Sequence, residues 1–96
     1  MKNISIQLIL MCCLSNISIA ASYQHIKDAA ISGHNEEQLT NASVNDCKNA
    51  CSSKSWCKSF DYYKGDRKCD LSRANYRDVG LKSDYSGNPY DHYSKQ

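Results

Sequence analysis

The sequence has little net charge and lacks several patterns that mark common functional classes. Its 12 lysines and arginines are nearly balanced by 10 aspartates and glutamates, which leaves a formal net charge of +2. A nucleic-acid-binding domain normally carries a clear basic excess, so we expect no nucleic-acid partner. The chain also has no glycine-rich phosphate loop, internal repeat, heptad pattern or low-complexity tract. Its 96 residues are enough for one domain at most.

No group of residues has the spacing of a catalytic or cofactor site. The histidines His25, His34 and His92 share no motif with an acidic partner. The cysteine pattern C-x3-C-x5-C-x11-C lacks the C-x2-C pairs of common zinc folds, although zinc is the rival to disulfides here. His25 and His92 would form a second possible metal site if the terminal strands pair. We expect a non-enzymatic protein with no metal or cofactor, and a secreted hydrolase is the least favoured class.

Residues 1–21 have the pattern of a secretory signal peptide. A lysine near the start is followed by a mostly apolar segment and by Ser-Ile-Ala at residues 18–20, a small-x-small cleavage site. A retained membrane anchor is the alternative, but polar residues interrupt the apolar segment. Cleavage would remove Cys12 and Cys13 and would release residues 22–96 as a secreted, extracellular domain without a membrane contact. A domain this small usually depends on disulfides.

A short helix is predicted for residues 44–52. Ser43 precedes it as an N-cap, because its hydroxyl can accept a hydrogen bond from a free backbone N–H of the first turn. Asp46 favours the positive end of the helix. Residues three and four apart lie on one helix face, so Cys47 and Cys51 point in the same direction. This face is expected to pack on the rest of the domain.

A β-hairpin is predicted after the helix. Residues 57–63 are rich in aromatic side chains that partly alternate, which is typical of a strand. The Lys-Gly-Asp sequence at residues 64–66 favours a turn, and residues 67–72 form the returning strand. Cys57 has the opposite parity to Phe60, so it is expected to precede the regular pairing or to lie at a bulge.

The four cysteines of the mature chain allow three disulfide pairings. A bridge from Cys47 to Cys51 is disfavoured, because parallel Cβ vectors one helical turn apart suit a disulfide poorly. Cys51 lies near the end of the helix and only a short loop from Cys57. The predicted pairs are therefore Cys51–Cys57 and Cys47–Cys69. The second pair closes the longer loop and should stabilise the fold more.

Three segments of this region resemble the core of the PAN/Apple domain family: C-x3-C in the helix, WCKSFDY at residues 56–62 and CDLS at residues 69–72. Residues 21–46 and the segment after Cys69 contain no cysteine, which matches the four-cysteine PAN type rather than the Apple type with its extra bridge. The resemblance implies an α+β fold, in which one helix packs on a twisted antiparallel β-sheet through two helix-to-sheet disulfides. It also implies a module that binds carbohydrate or protein.

The remaining elements are marked less sharply. Residues 23–31 are interpreted as a first strand. Residues 73–89 are polar and include two glycines and the single proline, so they are predicted to form a long loop with Val79 and Leu81 packed against the core. Residues 90–93 are predicted to form a last strand, which the resemblance places beside the first.

Two surface features indicate where a ligand would bind. The seven tyrosines offer flat faces with a hydroxyl, which suit sugar rings and protein partners. Of these, Tyr62 is assigned to the core and Tyr63 to the surface. A basic cluster near the hairpin could attract sulfated glycans or acidic proteins, unless nearby aspartates balance it on a solvated face. The predicted ligand-binding residues are Tyr63, Lys64, Arg67 and Lys68; the cluster also contains Lys54, Lys58, Arg73 and Arg77, and the balancing acids would be Asp61, Asp66 and Asp70.

Asn41-Ala42-Ser43 is an N-glycosylation sequon, so Asn41 is a possible glycosylation site. The alternative is a plain loop residue before the helix. Ser43 would serve both as the sequon hydroxyl and as the N-cap.

Together these features predict a secreted, non-enzymatic binding module that recognises extracellular carbohydrate or protein through the hairpin and nearby aromatic residues. The alternative is a small secreted inhibitor or effector that binds and blocks a protein partner.

Overall fold

The structure, a computed structural model, describes residues 21–96. Apart from Ala21, the predicted signal peptide lies outside the described residues, and so do Cys12 and Cys13. The described range contains five strands and two helices. The strands are β1 (Tyr23–Ile26), β2 (Glu37–Leu39), β3 (Ser59–Tyr63), β4 (Lys68–Ser72) and β5 (Tyr90–Lys95), and the helices are α1 (Val44–Ser52) and α2 (Tyr76–Val79).

The strands form one antiparallel sheet in the order β1-β5-β3-β4-β2. The C-terminal strand therefore lies beside the first, with Tyr23 opposite Lys95. β1 is shorter than predicted, because Asp28 adopts a φ of 58° and the chain turns away from the sheet there. The predicted α+β fold, with a helix and two disulfides on an antiparallel sheet, is confirmed.

Helix α1 begins at the predicted cap. The Ser43 hydroxyl accepts a hydrogen bond from the Asp46 backbone N–H at 3.1 Å, and the Asp46 carboxylate accepts one from the Ser43 N–H at 2.9 Å. This reciprocal arrangement is a capping box, which satisfies two backbone donors at the helix start. Cys47 and Cys51, which lie on one face of α1, are completely buried.

Two disulfides join α1 to the sheet region. Cys47 is bonded to Cys69 in β4, and Cys51 is bonded to Cys57, which precedes β3 as expected. These are the pairs deduced from the sequence. All four cysteines belong to the core between α1 and one face of the sheet. The other buried members of this core are Ala42, Phe60, Tyr62, Leu71 and Tyr93.

The segment between β4 and β5 differs from its prediction. It contains the short helix α2, which Asn75 caps by accepting a hydrogen bond from the Arg77 N–H at 2.9 Å. Val79 and Leu81 were predicted to pack against the core, and this was wrong, since they are 41% and 39% exposed. The segment instead reaches the sheet through polar contacts, such as the hydrogen bond that Ser59 Oγ donates to the Ala74 carbonyl.

Candidate functional site

The β3–β4 hairpin holds the four residues predicted to bind a ligand. Tyr63 ends β3 and is half-buried, whereas Lys64 and Arg67 lie in the exposed turn. Lys68 begins β4, and its ammonium lies 5.1 Å from the centre of the Tyr63 ring. A cation over an aromatic face is a favourable arrangement, so Tyr63 and Lys68 form one unit of this surface.

Carboxylates neutralise most of the basic cluster. Lys64 Nζ lies 2.8 Å from Asp28 Oδ1 and 2.9 Å from Asp91 Oδ1, and these hydrogen bonds raise the pKa of Lys64. A surface neutralised in this way has little long-range attraction for polyanions. The other pairs are Lys54–Glu37 at 3.7 Å, Lys58–Asp78 at 2.6 Å, Lys68–Asp66 at 3.7 Å and Arg73–Glu36 at 3.0 Å.

Three half-buried tyrosines adjoin the hairpin. Tyr63 pairs with Tyr90 across β3 and β5, and their rings meet edge to face with centres 5.0 Å apart. Tyr85 contacts Tyr90 in the same manner at 4.9 Å, and Lys82 Nζ lies 4.9 Å from the centre of the Tyr85 ring. We call Tyr63, Tyr90 and Tyr85 the tyrosine row. The row extends the aromatic surface of the hairpin onto the loop before β5.

The face of the sheet opposite α1 is polar and buried. Asp61 and Asp70 were expected on a solvated face, but they are only 3% and 9% exposed, so that interpretation was wrong. The chain segments that follow β1 and β4 cover this face. The Ile31 N–H donates a hydrogen bond to Asp61, and the Ala74 carbonyl accepts one from Ser59 Oγ. The sequence does carry a pattern that indicates this polar face, because serine, aspartate or histidine stands at alternate positions of three strands. The buried polar residues on these strands' outer face are Ser59, Asp61, Asp70, Ser72, His92 and Ser94.

Asp61 is the centre of this polar layer. Its carboxylate accepts hydrogen bonds from His92 Nδ1 at 2.7 Å and from the Ile31 N–H at 3.2 Å. Burial raises the pKa of Asp61, and the hydrogen bond with His92 opposes that rise. Asp70 lies directly opposite Asp61 on β4 and accepts a hydrogen bond from Gln38 Nε2 at 2.8 Å. Two carboxylates are therefore held side by side as fixed hydrogen-bond acceptors.

An open cavity of about 200 Å³ lies over these carboxylates. Asp61 and Asp70 line it, together with Tyr85 and Tyr90 of the tyrosine row. The loop after β1 contributes polar side chains and backbone to the same cavity. The cavity is thus mainly polar and lies beside the tyrosine row. Of the four residues predicted to bind a ligand, Tyr63 is the one that adjoins it, through its contact with Tyr90. The loop residues that line it are Ala30, Ile31, Ser32, Gly33 and Asn35.

His25 and His92 lie on opposite faces of the sheet. The His25 ring stacks on Tyr93 at 4.5 Å and its Nε2 lies 2.8 Å from Asp91, while His92 turns toward Asp61. Between residues 21 and 96, no group of three or more histidine, cysteine, aspartate or glutamate side chains is placed to hold a metal ion. Nor is any helix in that range long and apolar enough to cross a membrane.

Asn41 is exposed and adopts a φ of 50° just before the buried Ala42. Ser43, the third residue of the sequon, uses its hydroxyl to cap α1. The asparagine side chain is therefore accessible, and its glycosylation stays a prediction.

Comparison with known proteins bears on the family. No curated protein matches the chain. The model of the PAN domain family matches residues 12–96, a range that contains every strand and helix described above and both disulfides. The chain therefore belongs to the PAN domain family, whose members are generally non-catalytic modules that bind protein or carbohydrate.

Proposed function

We propose that this protein is a secreted, non-enzymatic module that binds an extracellular carbohydrate at the tyrosine row and the adjoining cavity. The observation that carries this proposal is the series of edge-to-face contacts between Tyr63, Tyr90 and Tyr85, at 5.0 and 4.9 Å, beside an open polar cavity. Aromatic faces can pack on the C–H groups of a sugar ring, while nearby polar groups bind its hydroxyls.

The hairpin contributes to the proposed site mainly through Tyr63 and Lys68. Lys68 and Lys82 each lie over a ring of the tyrosine row, so their ammonium groups can donate hydrogen bonds to hydroxyls of a sugar on that surface. Lys64 and Arg67 border the site. Two carboxylates engage Lys64, whereas Lys68 and Lys82 each pair with one, so we assign Lys64 a smaller part in ligand binding.

Secretion is supported by the disulfides and by the family. Both disulfides are buried in the core, and such bonds persist in oxidising compartments. PAN domains occur in extracellular proteins. The pattern of residues 1–21 agrees with this, so we propose a signal peptide at 1–21 and a mature domain at 22–96.

A glycan-array screen at physiological salt tests the proposal, using protein whose two disulfides have been verified by intact mass. We expect saturable binding to a defined set of glycans. Tyr63→Ala and Tyr85→Ala should each weaken that binding about three- to tenfold, the effect of removing one aromatic contact. Tyr76→Ala is the control, because Tyr76 lies outside the row. Binding only to highly sulfated chains, lost at higher salt, would contradict the proposal.

The alternative is a small secreted inhibitor or effector that blocks a protein partner. It is supported by the exposure of Val79 and Leu81, two apolar side chains on either side of Gly80. Neighbouring apolar residues on a surface suit a protein contact. A negative glycan screen, together with a stoichiometric protein complex that Val79→Ser/Leu81→Ser disrupts, would favour this alternative.

A further inference from the structure

We infer that the cavity lined by Asp61 and Asp70 is a subsite for one neutral hexose unit, and that its two carboxylates exclude sugars bearing a carboxylate or a sulfate. This inference rests on the proposed carbohydrate-binding function and adds the class of sugar. It runs against one of the two interpretations of the basic hairpin, that this cluster attracts sulfated glycans or acidic proteins.

Asp70 provides the hydrogen-bond acceptor for the sugar. It lines the cavity although it is only 9% exposed. Its Oδ1 accepts one hydrogen bond, from Gln38 Nε2 at 2.8 Å. An ionised carboxylate has about four lone-pair sites, so Asp70 retains unused acceptor capacity in a largely desolvated position. Neighbouring hydroxyls of a sugar ring are donors that fill this capacity.

The charge of the cavity selects against anions. Asp61 and Asp70 face each other across β3 and β4, and in the part of the chain that the structure describes neither forms an ion pair with a lysine or arginine. His92 is the one basic side chain bonded to Asp61, and it lies in the buried layer beside it. An anionic sugar would bring a third negative charge into a partly buried site, where repulsion is stronger than in water. The nearby lysines engage other carboxylates: Lys64, Lys68 and Lys82.

The size and walls of the cavity suit a single sugar ring. Its volume of about 200 Å³ is below the ~300–1,000 Å³ of sites that enclose a drug-sized ligand, which favours one ring over an extended chain. Its exposed lining is almost entirely polar, so it would hold a sugar mainly through the hydroxyls, while the tyrosine row beside it offers aromatic surface. Ser32 and Asn35 add groups that both donate and accept hydrogen bonds. The opening allows further sugar units to extend along the tyrosine row.

Calorimetric and NMR titrations of the full, disulfide-bonded protein test this inference. The probes are methyl glucoside and methyl galactoside, each compared with its anionic counterpart, glucuronic or galacturonic acid. We expect at least one neutral glycoside to bind tenfold or more tightly than its counterpart. Amide shifts should centre on Asn35 and Tyr85.

Variants locate the binding in the cavity. Asp70→Asn keeps the shape of the side chain but removes its charge, so it should weaken binding of the neutral sugar about tenfold and reduce discrimination against the acid. Asp66→Asn is the matched control, because it removes the same charge from the exposed hairpin turn, where the side chain is 64% exposed. Asn35→Ala changes an exposed loop residue, so it tests the cavity even if Asp70→Asn fails to fold.

The outcomes separate the two proposals. If neutral sugars bind, if Tyr63→Ala weakens that binding and if both cavity variants leave it unchanged, carbohydrate binding stands and the cavity inference is wrong. Equal affinity for neutral and acidic sugars would overturn the charge argument. If the wild-type protein binds no sugar in either the array or the titrations, both proposals fail.

Discussion

The two disulfides should stabilise the fold unequally, because they restrain different lengths of the unfolded chain. Cys47 and Cys69 are 22 residues apart, whereas Cys51 and Cys57 are only 6 apart. In the chain-entropy model these separations correspond to about 3 and about 2 kcal/mol of stabilisation at 25 °C. All four cysteines are at most 1% exposed, so replacing either pair by alanine should leave cavities that cost a similar free energy. This cavity cost cancels when the two double variants are compared with each other.

We therefore expect the variant Cys47→Ala/Cys69→Ala to lose about 1 kcal/mol more free energy of unfolding than Cys51→Ala/Cys57→Ala. Urea denaturation of both variants and the wild type, followed by circular dichroism under non-reducing conditions, measures this difference. Intact mass verifies that each variant keeps its remaining disulfide. An equal loss, or a larger loss from the shorter bridge, would refute the reasoning from loop closure.

Two further predictions concern pH and the start of α1. Burial alone would raise the pKa of Asp91, but hydrogen bonds from the Asp28 N–H, His25 and Lys64 lower this pKa overall. The ionised Asp91 therefore stabilises the fold above its unfolded pKa of 3.8, and this stabilisation is lost as the pH falls through the lower folded pKa. Asp91→Asn should therefore flatten the acid side of the stability-versus-pH curve, and an unchanged curve would contradict this. Ser43→Ala should lower the free energy of unfolding by about 1 kcal/mol and remove any glycan at residue 41, whereas Ser43→Thr should preserve the helix cap and the sequon. Urea denaturation measures the first effect, and intact mass with and without glycosidase measures the second.

The helix, the hairpin and the disulfides were predictable because their signals are local. Ser43 and Asp46 mark the helix start within one turn, and the spacing of Cys47 and Cys51 places both on one face. Alternation in residues 59–63 marks a strand whatever its partner. Periodicity and capping depend on neighbours in sequence, so they can be recognised without the tertiary structure.

The cavity was not predicted because its parts come from distant segments. One alternative from the sequence placed Asp61 and Asp70 on a solvated face, where they would balance the basic cluster. Two segments of the chain cover this face instead, which isolated strand patterns do not show. The basic cluster was misleading for a related reason: Asp28 and Asp91, which neutralise Lys64, are far from it in sequence and reach it through the pairing of β1, β5 and β3.

The sequence by itself determined the helix with its cap and the cysteine framework, because each is specified by residue types at short, regular separations. The resemblance of these segments to the PAN/Apple family implied the α+β class. Only the tertiary structure decided which polar residues are buried, which lysines are neutralised and where the tyrosines meet. Those properties depend on the strand order and on how the segments after β1 and β4 fold over the sheet. Contacts such as Tyr63–Tyr90 and Ile31–Asp61 join distant parts of the chain and leave no periodic signal in it, so the proposed binding surface became visible only once the strands were paired.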